Sequence, residues 1–189
     1  MSRIDQLLAS YRSRVALPLQ PGLPLSQRVW FVVYPPDDER RLEPRLQEFE
    51  LATQDARLGW RTVDLAGSFA GWMDTFDESE RAACLGDPEL VETYADPGFV
   101  DFLKERMEDA VSGLEQARAE RTVIALTGLM ELYDFIHVSS LIDALEDIFP
   151  GILLFFFPGE REGNSYRFLG SRDGWEGFEP PDLQVMSGI

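Results

Sequence analysis

The sequence predicts an α/β fold: a mostly parallel sheet of four to five strands flanked by helices, with P-loop-like layering but no Walker A motif. Three observations predict it. Arg28 to Tyr34 (RVWFVVY) and Ile152 to Phe157 are apolar on both faces, as strands covered from both sides must be. Strand-like runs alternate with segments of helical periodicity, the order that builds parallel sheets. Hydrophobic residues make up 44% of the 189 positions and aromatics 12%, enough for a buried core despite the charge.

The elements follow in chain order. Ile4, Leu7, Leu8, Tyr11 and Val15 lie at helical spacing, so residues 3–15 read as an amphipathic helix. Pro18, Pro21 and Pro24 make Leu17 to Leu25 an extended connection into the first strand. That strand breaks at Pro35, Pro36 and Asp37. Leu42, Leu46, Phe49 and Ala52 or Thr53 then mark a helix that Pro44 should kink or delay. Trp60 to Leu65 is the second strand, followed by a short helix with Ser68 as candidate N-cap.

Asp87-Pro88 and Asp96-Pro97 each pair a capping residue with proline at the first helical position. The second opens a long helix with its stripe at Phe99, Phe102, Leu103, Met107, Ala110, Val111 and Leu114. Thr122 to Leu126 is the third strand, stopped by Thr127-Gly128. Leu141, Ile142, Leu145, Ile148 and Phe149 form a helix starting near Ser139. Ile152 to Phe157 is the fourth strand. Gly163-Asn164 turns the chain into Tyr166 to Leu169, a short strand expected beside the fourth. The reading is one domain over residues 1–175 and an irregular tail over 176–189.

Composition removes several function classes. The formal charge is −17, with 34 acids against 17 cations, which disfavours a broad phosphate-neutralising surface and suits a basic partner. Lys104 is the only lysine, and it lies inside a helix behind no glycine loop, so a Walker-type phosphate site has no lysine to use. A glycine-only dinucleotide fingerprint is missing too. One Cys (Cys84) and one His (His137) cannot supply a structural zinc set. With no signal-peptide pattern in residues 1–15 and no apolar run of membrane-spanning length, the expected location is the cytoplasm.

Ligands of open α/β sheets bind beyond the carboxyl ends of the strands. There the chain carries Asp37-Asp38-Glu39, Asp64, Thr127-Gly128 and Pro158-Gly159-Glu160-Arg161. Asp37, Asp38, Asp64 and Glu160 are the hard oxygen ligands that a divalent-metal-dependent phosphoester hydrolase would need. Equally, aspartates after strands are common caps, and a chain this acidic places some at every loop. His137 lies in an apolar stretch without a nucleophile motif and reads as structural. Cys84 sits among Glu78, Glu80 and Asp87, an acidic neighbourhood unlike the electropositive setting of a catalytic cysteine. No catalytic residue and no cofactor are therefore assigned. Trp30, Trp60, Trp72 and the Phe155–Phe157 run read as core. Trp175, in the Gly-rich RDGWEGF, reads either as a partner contact, with Arg161 and Arg172 nearby in sequence, or as a peg holding the tail.

The segments RVWFVVYPPDDERRL, EFELATQDARLGWRTVDLAGSFAGWM and LLFFFPGEREGNSYRFLGSRDGW together resemble the BrxB family of BREX bacteriophage-defence systems. The resemblance runs in order from the first helix to about Trp175. EFxLAT, the GW-to-DL strand and FPGxxEGNxYRxL are its most specific parts. The family pattern continues after DGW with an apolar strand, whereas Glu176 to Ile189 is broken by Pro and Gly. The resemblance implies a defence cluster that also holds a AAA+ ATPase, an adenine methyltransferase and a PglZ-type protein, and it implies no catalytic activity. With no phosphate loop, triad or zinc set in the sequence, the expected role is a non-catalytic adaptor. The PglZ-type protein and the ATPase are the expected partners. Direct nucleic-acid binding by this acidic chain alone is not expected, though an arginine patch could touch DNA within a complex.

Charge also divides the chain. Residues 1–62 hold nine Arg against eight acids, and residues 63–189 hold eight cations against 26 acids. Two unlike electrostatic surfaces are expected, the acidic one densest over Asp74 to Asp109.

Overall fold

Four strands of the expected type form and align parallel. The computed structural model describes residues 2–20, 22–87, 98–132, 135–136, 138–146, 148–162, 165–167 and 184–187. In it β1 (Val29–Tyr34), β2 (Gly59–Asp64), β3 (Thr122–Thr127) and β4 (Ile152–Pro158) share a sheet with β7 (Gln184–Ser187), in the order β2-β3-β4-β1-β7. Every pairing in this sheet is parallel. Successive residues of β1 and β4 point to opposite faces. Phe31 and Phe155 stack at 5.2 Å on one face, while Trp30 and Phe156 enter the core on the other.

Each face has its own helices. On one, α1 (Arg3–Val15) buries Ile4, Leu7, Leu8, Tyr11 and Val15 against α4 (Leu46–Asp55) and the sheet. On the other lie α5 (Ser68–Met73), α6 (Glu78–Gly86), α7 (Val100–Val111) and α9 (Val138–Glu146). The chain runs from β1 through α4 to the far edge at β2, then returns through β3 to β4 with its helices on the opposite face. That reversal is what a single crossover hand demands.

Several local expectations are corrected. The connection ends in a one-turn helix, α2 (Leu25–Arg28), before β1. Pro44 sits in a 3-10 turn, Glu43–Arg45, which separates α3 (Glu39–Leu42) from α4, because proline cannot donate to the preceding turn. Gly67, at φ +73°, caps α5 in place of Ser68, which is a buried first-turn residue. The long helix stops at Val111, and Leu114 follows the left-handed Gly113 before one turn of α8 (Gln116–Ala119).

Glu160 and Arg161 do not form a loop. They belong to β5 (Glu160–Glu162), which pairs antiparallel with β6 (Ser165–Arg167), so the short strand lies in a separate hairpin and not beside β4. The tail, read as irregular, ends in β7, hydrogen-bonded along β1. Pro88, Asp96-Pro97 and His137 lie outside the described residues.

Candidate functional site

The reversal of winding falls between β4 and β1, the place where a doubly wound sheet keeps its ligand crevice. Here the chain's own groups take that place. The Gly159 N–H donates to the Tyr34 carbonyl at 2.7 Å, extending the β1–β4 ladder past its end. Tyr34 Oη donates to Glu39 Oε2 at 2.6 Å. Asp38 accepts from Arg41 at 3.1 Å and lies 3.8 Å from the Arg3 guanidinium, which ties the β1 loop to α1. Asp37 is exposed beside them.

Asp64 is committed elsewhere. Its Oδ1 accepts from the Ala66 N–H at 3.1 Å and from Thr127 Oγ1 at 3.2 Å, clamping the β2 loop to the end of β3. Arg106 Nη2 donates to the Asp64 carbonyl at 2.9 Å, holding α7 to the same loop. Gly128, at φ +71°, allows this approach, since a Cβ there would stand 2.4 Å from Ala66 N. Gly67 N–H completes the corner by donating to Glu131.

The strand order also separates the acids. Asp64 ends β2 and Asp37 and Asp38 follow β1, three strand positions away, or about 14 Å at ordinary strand spacing. Among the described residues no three His, Cys, Asp or Glu side chains come together in a way that could hold a metal ion. Of the carboxylates proposed for a hydrolase, Asp38 and Asp64 therefore sit as loop clamps at two places and Asp37 is exposed, with the Glu160 side chain outside the description. The sequence brought them to one sheet end but could not show that β3 and β4 come between.

Cys84 is buried on α6 beside Trp72 and Phe76, away from these loops. Trp30 and Trp72 are core, as read. Trp60 is only half-buried on the open edge strand β2, where it packs against the core on the α1–α4 face and also lines a gap with residues of α8. Arg161 is described only as part of the β5 backbone, and Arg172 and Trp175 lie outside the described residues. No family model, curated protein or solved structure matches the chain. Among the described residues no helix is long and apolar enough to cross a membrane.

The other surface that the charge pattern anticipates is present. On α7, Leu103 and Met107 enter the core and Asp101, Glu105, Glu108 and Asp109 face outward. On α6, Cys84 is buried while Glu78 and Glu80 are exposed. None of the four α7 acids forms an ion pair with a described residue.

Proposed function

We propose that this chain is a non-catalytic adaptor of a BREX-type phage-defence complex, docking a PglZ-type protein or the AAA+ ATPase. The outward acidic face of α6 and α7 carries the reading. It presents Glu78 on α6 and Asp101, Glu105, Glu108 and Asp109 on α7 as exposed carboxylates, the α7 four without an ion pair to a described residue, as a surface made for a basic protein would be. The resemblance to BrxB in the β1, β2 and β4 segments supplies the setting. At the carboxyl edge of the sheet, Asp38, Glu39 and Asp64 are bonded to neighbouring groups of the chain itself.

Co-purification from cells expressing the whole defence cluster tests it. The chain is expected to retain a PglZ-type protein or the ATPase, and the triple variant Asp101→Lys, Glu105→Lys, Glu108→Lys is expected to lose it while staying folded. A chain that captures none of the defence proteins, or a triple variant that captures them equally well, overturns the reading.

A further inference from the structure

At the opposite end of the sheet, the amino ends of β2 and β3 open onto a cleft of about 450 Å³. Four arginines line it around the open edge of the sheet, Arg57, Arg61, Arg118 and Arg121, with Leu114 on one face and Trp60, packed on the α1–α4 side, on the other. All four arginines are exposed, and none forms an ion pair with a described residue. The fold brings them together. Arg61 lies on β2 opposite Ile124 of β3, Arg121 immediately precedes β3, and Arg118 sits on the single turn before it. The Arg121 guanidinium donates to the Arg57 carbonyl at 3.2 Å, which locks the end of α4 against the start of β3. Trp60 Nε1 donates to Thr62 Oγ1 at 3.0 Å, which sets the indole's orientation.

Arg57 carries a second signal. It lies two residues past the end of α4, at φ 61°, and is the one non-glycine described residue with positive φ. Helices commonly end on a glycine in this conformation, because a Cβ is strained there. A side chain kept at such a cost points to a use for that side chain.

We propose that this cleft binds a nucleoside di- or triphosphate, the phosphates on the arginines and the base against Trp60. Guanidinium forks match phosphate oxygens in pairs, and an indole face stacks on a base. The volume suits a small ligand. The overall charge of −17 favours a short phosphate chain over a long nucleic acid, whose flanking phosphates would meet the acidic helices. The site does not depend on the adaptor role, and either can fail alone.

Calorimetric titration of the full chain with ADP tests it, beside pyrophosphate, oligothymidylate and polyglutamate. One ADP per chain is expected, bound more tightly than the other three. The variant Arg61→Gln, Arg118→Gln, altered only at exposed positions, should weaken ADP about tenfold or more. Trp60→Leu should erase the preference for ADP over pyrophosphate. Arg57→Gly should raise the thermal midpoint while weakening ADP, a pairing that a purely structural arginine would not give. Absence of ADP binding, or binding unchanged in the double arginine variant, overturns the proposal. So does pyrophosphate binding as tightly as ADP, or tighter binding of oligothymidylate or polyglutamate.

Discussion

At the scale of single residues, the pair Tyr11 and Thr53 joins α1 to α4 inside the core. Thr53 Oγ1 donates to the Phe49 carbonyl at 2.8 Å, so its one proton is used. Tyr11 must then be the donor across the 2.6 Å contact between the two hydroxyls. Burial pushes the Tyr11 phenol above its ordinary pKa, which keeps that proton in place. Tyr11→Phe should cost about 1 kcal/mol and Thr53→Val about 2 kcal/mol, the second more because it strands a buried hydroxyl. The double variant should cost less than the sum by about 1 kcal/mol in urea unfolding, the mark of a direct contact. Gly128 is the sharper case. Its left-handed φ and the 2.6 Å from its would-be Cβ to Asp64 Oδ1 make Gly128→Ala cost about 3 kcal/mol by the same measurement. Tyr11 was legible as core from its spacing, and Gly128 as a strand stop. Their partners were not, because the Tyr11–Thr53 bond and the approach of Gly128 to Asp64 each join residues more than forty positions apart.

At the scale of elements, periodicity carried most of the reading. The α1 stripe is buried at all five positions it named, since a helix packed on a sheet has only one face to bury. Boundaries were less legible where backbone chemistry decides them, as at Pro44 or at Gly67, whose left-handed turn displaced Ser68 as cap. The contact between α1 and α4 has an electrostatic seam as well. Arg45 donates to Asp5 at 2.7 Å and to Glu48 at 2.6 Å. The hydrogen bond from Arg45, aided by the Ser2 cap, lowers the Asp5 pKa from 3.8 to about 2. A carboxylate with a depressed folded pKa stabilises above its unfolded value and loses that contribution as pH falls toward the folded one. Asp5→Asn should therefore be less stable than the parent at neutral pH. The gap in urea midpoint should close as pH falls from about 4 to about 2.

At the scale of the whole molecule, the α/β class and four of the five strands of the sheet were legible: β1, β3 and β4 because a strand buried on both faces has little room for polar residues, and β2, an exposed edge, from its place between helical segments. The strand order was not. Nothing in a sequence met one segment at a time says that β3 and β4 stand between β2 and β1. That order decides the candidate sites: it parts Asp64 from Asp37 and Asp38, and it gathers Arg57, Arg61, Arg118 and Arg121 at the other end. The arginine cleft could have been suspected from two adjacent parallel strands that each begin among arginines. β7 was obscured by the prolines and glycines before it, which mark a loop without saying where the loop ends.

The place of β1 in the sheet also governs the order in which the chain can be assembled. β1 is made early, yet its neighbours are β4, starting at Ile152, and β7, starting at Gln184. During synthesis at ordinary rates, this strand waits roughly 10 s for its first partner, with VWFVVY apolar throughout. Folding of the sheet is thus a late event for a ribosome-bound chain. A fully apolar segment is therefore the strand left longest without a partner, and holding it apart in that interval is a task for α1, already made and able to cover one of its faces, and for chaperones.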